Sequence, residues 1–300
     1  MKALTLTSFG GLDALELADV PGTAPGEGEV VVNVRAVALG PWDLRATQGY
    51  FSAMGGSTVF PQVQGWDFAG ETADGRRVLG FVAQPWMGVG SLAERLVVPA
   101  GVLAELPDGL DWAAASALPV CVLTAHLLVD GTGASDGDHL LVTGAAGMVG
   151  GFAVELARAQ RANVIGAVRQ SDAEEARRLG VETTVSTGED LASSVRAAWP
   201  EGADACMDTL GLATAALECV RDRGRFFTTV PEAVPEATRG VAPQGVQVQP
   251  DPETLGALAR RAARGELTVR VAEALPWEEF RRGYELLGRG GLHGKVVLTL

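Results

Sequence analysis

A glycine-rich turn, Gly144-Ala-Ala-Gly147-Met-Val-Gly150, is the part of the sequence best suited to hold a ligand. It follows an apolar run, His139–Thr143, and precedes residues 149–159, whose apolar positions have helical spacing. Glycines allow a sharp bend and a close approach of backbone N–H groups to a phosphate, and a helix N-terminus adds its positive dipole end. This glycine turn predicts a pyrophosphate site. The predicted contacts are Gly144, Ala145, Ala146, Gly147, Met148, Val149 and Gly150. The alternative is a tight strand-to-helix turn that binds nothing.

The residues after the next apolar run indicate which dinucleotide would bind. Asn163–Val168 is typical of a second strand, and NAD sites carry an acid near this point that accepts from the ribose 2′-hydroxyl. Here the run ends in Arg169, Gln170 and Ser171, and the first acid is Asp172. A guanidinium pairs with a 2′-phosphate, and a serine hydroxyl donates to one. The sequence therefore favours NADPH over NADH, with Arg169, Gln170 and Ser171 as contacts. The alternative is that Arg169 is a solvated loop residue.

The histidines and cysteines show no metal-site spacing. The chain has three of each: His126, His139, His293, Cys121, Cys206 and Cys219. They include no Cys-x-x-Cys pair and no His/Cys/acid cluster, so we expect neither a zinc site nor a disulfide framework. Without a metal to polarise a carbonyl, hydride transfer suits an acceptor that delocalises negative charge, such as a quinone or a conjugated enone.

The charge balance argues against two classes of partner. The 300 residues carry 24 Lys and Arg against 37 Asp and Glu, a formal net charge of −13. Nucleic acids and anionic membranes are also negative, so we expect neither as a main partner. The N-terminal residues lack an apolar segment of the signal-peptide type, and Pro119 and His126 interrupt the longest apolar stretch. We expect a cytoplasmic protein.

The order of the apolar runs predicts two regions of different architecture. Residues 1–116 contain short apolar runs separated by Gly and Pro clusters, which is typical of β-strands. From His139–Thr143 onward, apolar runs alternate with amphipathic segments, which predicts a parallel sheet covered by helices on both faces. We therefore expect an α/β protein whose parallel-sheet domain lies in 117–266.

Local signals predict several element boundaries. Ser171 and Glu174 have the spacing of a capping box at the start of a helix, and Gly180 can end that helix in the left-handed conformation. Other elements predicted from periodicity are a helix over 213–221 and strands over 246–249, 268–271 and 295–300. The last strand can either extend the parallel sheet or return to the first domain.

Motifs spread along the chain match those of a known family in type and in order. Besides the glycine turn, they are Val34-Arg-Ala-Val-Ala-Leu-Gly-Pro-Trp-Asp43, Gln64-Gly-Trp-Asp-Phe-Ala-Gly70, Gly75-Arg-Arg-Val-Leu-Gly80, Gly90-Ser-Leu-Ala-Glu94, Asp208-Thr-Leu-Gly211 and Gly294-Lys-Val-Val-Leu298. Over nearly its whole length the chain resembles the zinc-free quinone oxidoreductase (zeta-crystallin-like) branch of the medium-chain dehydrogenases/reductases.

The resemblance implies a domain arrangement and a cofactor. A GroES-like β-barrel catalytic domain is expected from 1–116 and 267–300, and a Rossmann doubly wound parallel sheet that binds NADPH is expected from 117–266. The resemblance also implies a homodimer. By matching positions, further cofactor contacts are expected from Thr124, Leu210, Gly211, Thr229, Val230 and Lys295.

A segment of polar and aromatic residues corresponds, by the resemblance, to the part of the family's chain that lines the substrate site. Trp42, Arg45 and Phe51 are the candidate substrate-binding residues, because aromatic rings stack on a planar acceptor. Tyr50 and Asp43 are the candidate catalytic residues, with Tyr50 able to donate a proton as hydride arrives. Packing inside a barrel and ordinary surface exposure are equally consistent with these residues, and water can serve as the acid instead.

The expected reaction is hydride transfer from NADPH to a quinone or similar conjugated carbonyl compound. A 2-alkenal or enoyl reductase on the same scaffold is the first alternative. A dinucleotide-binding protein with little turnover is the second, because a fold does not fix an activity.

Overall fold

A computed structural model describes residues 1–188 and 190–300. The chain packs into two compact units. The first comprises Met1–Val120, Pro250–Gly265 and Val269–Leu300, and the second comprises Cys121–Gln249 and Glu266–Thr268. The sequence division at 116/117 and 266/267 differs from this mainly in placing 250–265 with the second unit.

Up to residue 120, the strands are β1 (Lys2–Leu6), β2 (Leu15–Asp19), β3 (Glu29–Leu39), β4 (Gln62–Val63), β5 (Asp67–Thr72), β6 (Arg77–Phe81), β7 (Arg95–Pro99) and β8 (Leu103–Glu105). The α-helices of this region are α1 (Pro41–Thr47), α2 (Gln84–Met87) and α3 (Trp112–Ser116). Helix α4 (Pro119–Thr132) begins in the first unit and continues into the second.

The second unit contains β9 (His139–Thr143), α5 (Met148–Ala159), β10 (Asn163–Val168), α6 (Ala173–Arg178), β11 (Thr183–Ser186), α7 (Leu191–Ala198), β12 (Ala203–Asp208), α8 (Thr214–Leu217), β13 (Val220–Thr228) and β14 (Gln244–Gly245). The chain then returns to the first unit with α9 (Pro252–Ala263), β15 (Val271–Pro276), α10 (Phe280–Arg289) and β16 (Lys295–Thr299). Single 3-10 turns lie at Leu12–Ala14, Tyr50–Met54, Ala100–Val102, Gln170–Asp172, Pro231–Ala233 and Trp277–Glu279.

Strand β3 organises the first unit. It pairs antiparallel with β5 on one edge, and with β16 and β7 on the other. The resulting sheet has the order β15-β16-β3-β5-β6-β8, and a smaller sheet has the order β2-β1-β4. Because β16 pairs with β3, the C-terminal strand returns to the first unit and does not extend the parallel sheet. The interior is filled by aliphatic and aromatic side chains such as Leu4, Phe68 and Tyr284.

The second unit is a parallel sheet with the order β11-β10-β9-β12-β13-β14. The first strand in the sequence of this unit, β9, lies in the middle, with later strands on either side of it. This is the doubly wound order in which ligands bind at the carboxyl ends of the central strands. The predicted α/β fold class is confirmed, and the predicted bounds of β9 and β10 match the structure to the residue.

Two predicted elements of the second unit are wrong in extent. The helix expected over 213–221 covers only Thr214–Leu217, because Val220 already pairs with Ala203 of the neighbouring strand. The strand expected over 246–249 pairs only at Gln244–Gly245, two residues earlier.

Of the two boundaries predicted for α6, the first is wrong and the second is confirmed. The expected capping box at Ser171 and Glu174 does not form, because Asp172 precedes α6 and its carboxylate binds Arg169 instead of a helix N–H group. Gly180 does adopt the predicted left-handed conformation, with φ +97°.

The strand expected over 268–271 begins only at Val271. Before it, the backbone N–H of Thr268 donates to both carboxylate oxygens of Glu155 at 3.1 and 3.0 Å, which holds this residue out of the sheet.

Tyr284 provides a test of the interior of the first unit. Its ring is fully buried, and its hydroxyl has no hydrogen-bond partner among the described residues. We expect Tyr284→Phe to leave the free energy of unfolding unchanged or to raise it by up to about 1–3 kcal/mol, because a buried polar group without a partner is removed. Tyr284→Ala should lower it by about 3–5 kcal/mol through loss of the packed ring. Urea unfolding measures both. A loss above about 1 kcal/mol for the Phe variant would contradict this account.

Candidate functional site

The carboxyl ends of four neighbouring parallel strands bring most of the predicted cofactor residues together. Strands β9, β10, β12 and β13 end at Thr143, Val168, Asp208 and Thr228. The glycine turn follows β9, and Arg169 follows β10 directly. The segments 209–211 and 229–230 follow the other two strands. One edge of one sheet therefore carries these groups, and it is the edge at which doubly wound parallel sheets bind ligands.

The glycine turn is closed by its own backbone. Gly144 has φ +64°, and its carbonyl accepts a 2.8 Å hydrogen bond from the N–H of Gly147. A Cβ atom on residue 150 would lie 2.2 Å from that carbonyl oxygen, which real Cβ atoms do not tolerate. Helix α5 begins at Met148 with Gly147 as its N-cap, and a glycine contributes no capping side chain of its own. First-turn N–H groups have no partner within their own helix, so this start can receive an anion.

A buried Thr–Asp pair fixes the turn to the neighbouring strand. Thr143 and Asp208, both fully buried, are the last residues of β9 and β12, and the Thr143 hydroxyl donates to the Asp208 carboxylate at 2.7 Å. The same carboxylate accepts from the N–H groups of Leu210, Gly211 and Ala213 at 3.0–3.3 Å. The motif 208–211 was identified from the sequence, but the hydrogen bonds between Thr143 and Asp208 were not predicted. The available signal was a hydroxyl and an acid, each at the end of a parallel strand.

Leu210 and Gly211 lie beside the glycine turn. A Cβ atom on Gly144 would lie 2.9 Å from the side chain of Leu210, whose own side chain is half exposed. A Cβ atom on Gly211 would lie 3.2 Å from Val230. Thr229 donates its N–H to the carbonyl of Asp208 at 3.1 Å. The structure thus clusters four of the residues that the family resemblance implied.

Arg169 is held by an acid rather than being free in solvent. Its Nε donates to a carboxylate oxygen of Asp172 at 2.7 Å, and the Ser171 hydroxyl donates to the other oxygen at 3.1 Å. Asp172 is nearly buried, whereas the Arg169 side chain is 60% exposed. The guanidinium of Arg169 is therefore held at its Nε, and much of the side chain is exposed. Gln170 lies between Arg169 and Ser171 in a 3-10 turn and is exposed.

Two further predicted cofactor residues lie on other elements of the structure. Thr124 is nearly buried on α4. Lys295 opens β16 in the first unit, where its ammonium donates to the carbonyl of Leu39 at 3.2 Å and to Asp67 at 3.3 Å. Their contact with a cofactor stays a prediction.

The predicted substrate residues form part of an aromatic cluster in the first unit. Trp42, Phe51 and Tyr50 are partly buried, and the guanidinium of Arg45 lies 4.9 Å from the centre of the Tyr50 ring. The Tyr50 and Phe51 rings meet edge to face at 5.1 Å. The structure thus brings these four predicted residues together.

Two tryptophans that the sequence analysis missed complete the cluster. Trp66 lies 6.0 Å from Trp42 and 5.6 Å from Phe51, measured between ring centres. Trp86 lies 5.2 Å from Phe51, is 44% exposed, and donates its indole N–H to the carbonyl of Met54. Strand pairing and a helical turn bring these residues together from separate segments, so no local pattern marked them.

Asp43, the other candidate catalytic residue, is buried rather than exposed. One carboxylate oxygen accepts from the N–H of Gly40 at 2.7 Å, which caps α1, and the other has no partner among the described residues. Burial raises the pKa of Asp43 to about 7, against the lowering effects of the Gly40 N–H and of Lys295. A carboxyl with this pKa exchanges its proton near neutral pH.

Residues 1–188 and 190–300 carry neither a metal-binding cluster nor a membrane-spanning helix. In that part of the chain, no group of three or more His, Cys, Asp or Glu side chains is placed to hold a metal ion. None of the helices described there combines the length and apolar character of a membrane span.

Known proteins were compared with the chain at the levels of family, sequence and structure. The family described as "Zinc-binding dehydrogenase" matches residues 149–239. The "NADPH-dependent alkenal/one oxidoreductase, chloroplastic" of Arabidopsis thaliana is 29% identical over 260 residues, which cover 80% of this chain and 65% of that protein. The "Chloroplast envelope quinone oxidoreductase homolog" of Arabidopsis thaliana is 32% identical over 201 residues, which cover 61% of this chain and 60% of that protein. The chain thus spans less than two thirds of the length of these relatives.

A solved structure covers the whole chain. The "NAD-dependent alcohol dehydrogenase" is 27% identical, covers 100% of both chains and superposes with a TM-score of 0.88. The two-unit architecture and the strand order agree with these similarities. The chain has the fold of the medium-chain dehydrogenases/reductases, with a GroES-like unit and a Rossmann unit, and it is similar in sequence to proteins named quinone and alkenal oxidoreductases.

Proposed function

We propose that the protein binds NADPH at the sheet edge of its second unit and reduces a quinone or similar conjugated carbonyl compound without zinc. The observation that carries this proposal is the adjacency of two sites at the ends of β9 and β10. A helix start with glycine at its N-cap suits a pyrophosphate, and an exposed guanidinium suits a 2′-phosphate. The names of the two Arabidopsis relatives, one NADPH-dependent and one a quinone oxidoreductase homolog, support it.

The residues of the second unit fit the proposed cofactor. Glycine at position 150 lets the turn close around the helix start, because a Cβ atom there would lie 2.2 Å from the Gly144 carbonyl oxygen. Leu210 presents a half-exposed apolar side chain beside the turn, suited to cover a ribose or ring. When bound, NADPH supplies the hydride, and the protein supplies binding and orientation.

The choice between NADPH and NADH depends on Arg169 and Asp172. Asp172 is an acid of the kind that accepts from a ribose 2′-hydroxyl, but its oxygens already bind Arg169 and Ser171. The exposed remainder of the guanidinium offers N–H donors to a phosphate. The solved relative with an NAD-dependent name makes this choice the first point to measure.

The aromatic cluster of the first unit would bind the acceptor. We propose that Trp42 and Phe51 contact a planar ring and that Arg45 and Tyr50 contact its oxygen, with Tyr50 the most accessible proton donor of the cluster. Asp43 is nearly fully buried, so its catalytic role requires a proton path to the acceptor.

An alkenal or enoyl reductase remains the second candidate, because one relative is named an alkenal/one oxidoreductase. Both reactions place a hydride on a conjugated system and a proton on the product. We further propose that the protein is a homodimer in the cytoplasm. Light scattering of the purified protein would determine the first property and cell fractionation the second.

We expect quinone reduction to exceed alkene reduction. With NADPH in excess, kcat/KM for 1,4-benzoquinone should exceed kcat/KM for a 2-enal by at least about tenfold, the equivalent of about 1.4 kcal/mol. Oxidation of NADPH at 340 nm, roughly the nicotinamide absorbance maximum, follows both reactions. The reverse ratio would favour the alkenal reductase. Tight NADPH binding without oxidation by either acceptor would favour a binding protein with little turnover.

We expect Arg169→Ala to weaken NADPH binding selectively. A charge-assisted hydrogen bond contributes about 1.5–3 kcal/mol, so the Kd for NADPH should rise roughly 10- to 100-fold while the Kd for NADH changes less than about threefold. Calorimetric titration with both dinucleotides measures this.

Arg178→Ala is the matched control for that experiment. It removes the same charge from α6, where the Arg178 side chain is 67% exposed and pairs with Glu174. This variant should bind both dinucleotides as the wild type does. Equal losses for NADPH and NADH in the Arg169 variant would remove the proposed 2′-phosphate contact.

A further inference from the structure

Three charged side chains lie together in the interior of the first unit. Asp43, Asp67 and Lys295 are 1%, 0% and 5% exposed, respectively. With all three ionised, the cluster would carry two negative charges and one positive charge away from water. An uncompensated buried charge is costly, and such a group normally takes up or releases a proton instead.

The hydrogen bonds of the two carboxylates identify the group that would carry the proton. Both oxygens of Asp67 are engaged, one by the Val120 N–H at 2.7 Å and the other by the Lys295 ammonium at 3.3 Å. Asp43 accepts from the Gly40 N–H at one oxygen only. Its second oxygen is buried with no partner among the described residues.

We propose that Asp43, Asp67 and Lys295 form a buried charge triad that holds one exchangeable proton on Asp43, with Lys295 and Asp67 as positioning residues. The ammonium is the counter-ion of Asp67, and the proton neutralises the second carboxylate. The three side chains of the triad then carry no net charge.

The groups facing Asp43 come from several elements. Lys295 faces it from β16 and lowers its pKa, and Asp67 faces it from β5 and raises it. From α10, the negative charge of Asp43 adds to burial in raising the pKa of Tyr284. The 3-10 turn that also packs on α1 contributes Tyr50, whose ring lies under Arg45. Burial outweighs these charges and places the pKa of Asp43 at about 7.

The triad also positions the ring of Trp42. The Lys295 ammonium lies 4.3 Å from the ring centre, within cation–π range. On the other side, the ring fills the space beside Gly40, where a Cβ atom would lie 2.3 Å from it. When Asp43 loses its proton, a second carboxylate competes for the ammonium. The hold on Trp42 then weakens as pH rises through 7.

This consequence for Trp42 as a substrate wall rests on the proposed function, whereas the shared proton does not. The test therefore begins with a property that needs neither cofactor nor substrate. In the folded state Asp43 keeps its proton up to about pH 7, whereas in the unfolded chain it loses it near its ordinary pKa of 3.8. Folding thus takes up one proton between these values, and this stability contribution falls as pH rises from about 4 to 7.

The free energy of unfolding is measured by urea titration from pH 4 to 8 for the wild type and for Asp43→Asn. We expect the difference between the two proteins to fall with pH with the slope that corresponds to one proton. Asn keeps an oxygen to accept from Gly40 but cannot ionise. Infrared difference spectra over the same pH range should show one protonated-carboxyl band that is absent from Asp43→Asn. Equal slopes for the two proteins, or the absence of this band, would overturn the proposal.

Neutral substitutions of the two positioning residues should shift the titration midpoint of Asp43 in opposite directions. Asp67→Asn keeps an acceptor for the Val120 N–H but removes a negative charge, so the midpoint of Asp43 should fall by about one pH unit or more. Lys295→Met should raise it by about one unit or more, and Lys295→Arg should leave it near the wild-type value. A purely structural role would not reverse the sign between the two neutral variants. Shifts in the same direction would contradict the triad.

Lys295→Met leaves Asp67 buried without its counter-ion and can prevent folding. The double variant Lys295→Met/Asp67→Asn removes both charges together and should fold, with the Asp43 midpoint between those of the single variants. A midpoint outside that range would contradict the charge coupling.

Trp42 supplies the last measurement. The fluorescence difference between wild type and Trp42→Phe should change with a midpoint near pH 7, and this change should vanish in Asp43→Asn. The KM for the quinone, more than kcat, should rise over the same range. A pH-independent fluorescence difference would overturn the positioning of Trp42. A fluorescence change without any quinone turnover would overturn the proposed function and leave the triad standing.

Discussion

The carbonyl oxygen of Gly144 lies where a side chain at position 150 would have to begin, and this close approach shapes the edge of the second unit. The separation would be 2.2 Å, so the turn can close only if residue 150 has no Cβ atom. Closure starts α5 directly after the turn, so the first N–H groups of the helix lie close to the end of β9. A site made of backbone presents fixed donors, and no side chain has to be ordered before an anion can bind.

Buried acids hold this edge in place and remain compatible with an anionic ligand. Asp208 accepts hydrogen bonds from one hydroxyl and three backbone N–H groups, which spread its charge over the ends of β9 and β12. Asp172 is paired with Arg169. A chain with a net charge of −13 can therefore still receive an anion at this edge, because Asp172 is paired with a cation and the charge of Asp208 is stabilised by four hydrogen-bond donors.

The sequence revealed the backbone part of this arrangement more fully than the side-chain part. Strands β9 and β10 are buried on both faces, so their apolar runs begin and end sharply, and the glycine spacing reports a steric requirement that only glycine meets. The capping box at Ser171 failed for a different reason. A local pattern cannot reveal that the Asp172 carboxylate, at the start of α6, accepts a hydrogen bond from Arg169. Similarly, Trp66 and Trp86 join Phe51 through contacts between segments distant in sequence.

Lys295 shows why a residue's place in a motif and its physical role must be argued separately. The segment 294–298 matched the family, and the match implied a cofactor contact. Within the first unit, the Lys295 ammonium donates to two oxygens and lies over an indole ring, and the cofactor contact stays a prediction. A buried ammonium needs a negative partner, and Asp67 supplies it. Asp43 then has no cation of its own, so its burial is tolerable only if it can carry a proton. Residue 40 is a glycine for a related reason. The Trp42 ring occupies the space that a side chain there would need, and the same ring lies against the Lys295 ammonium of the triad.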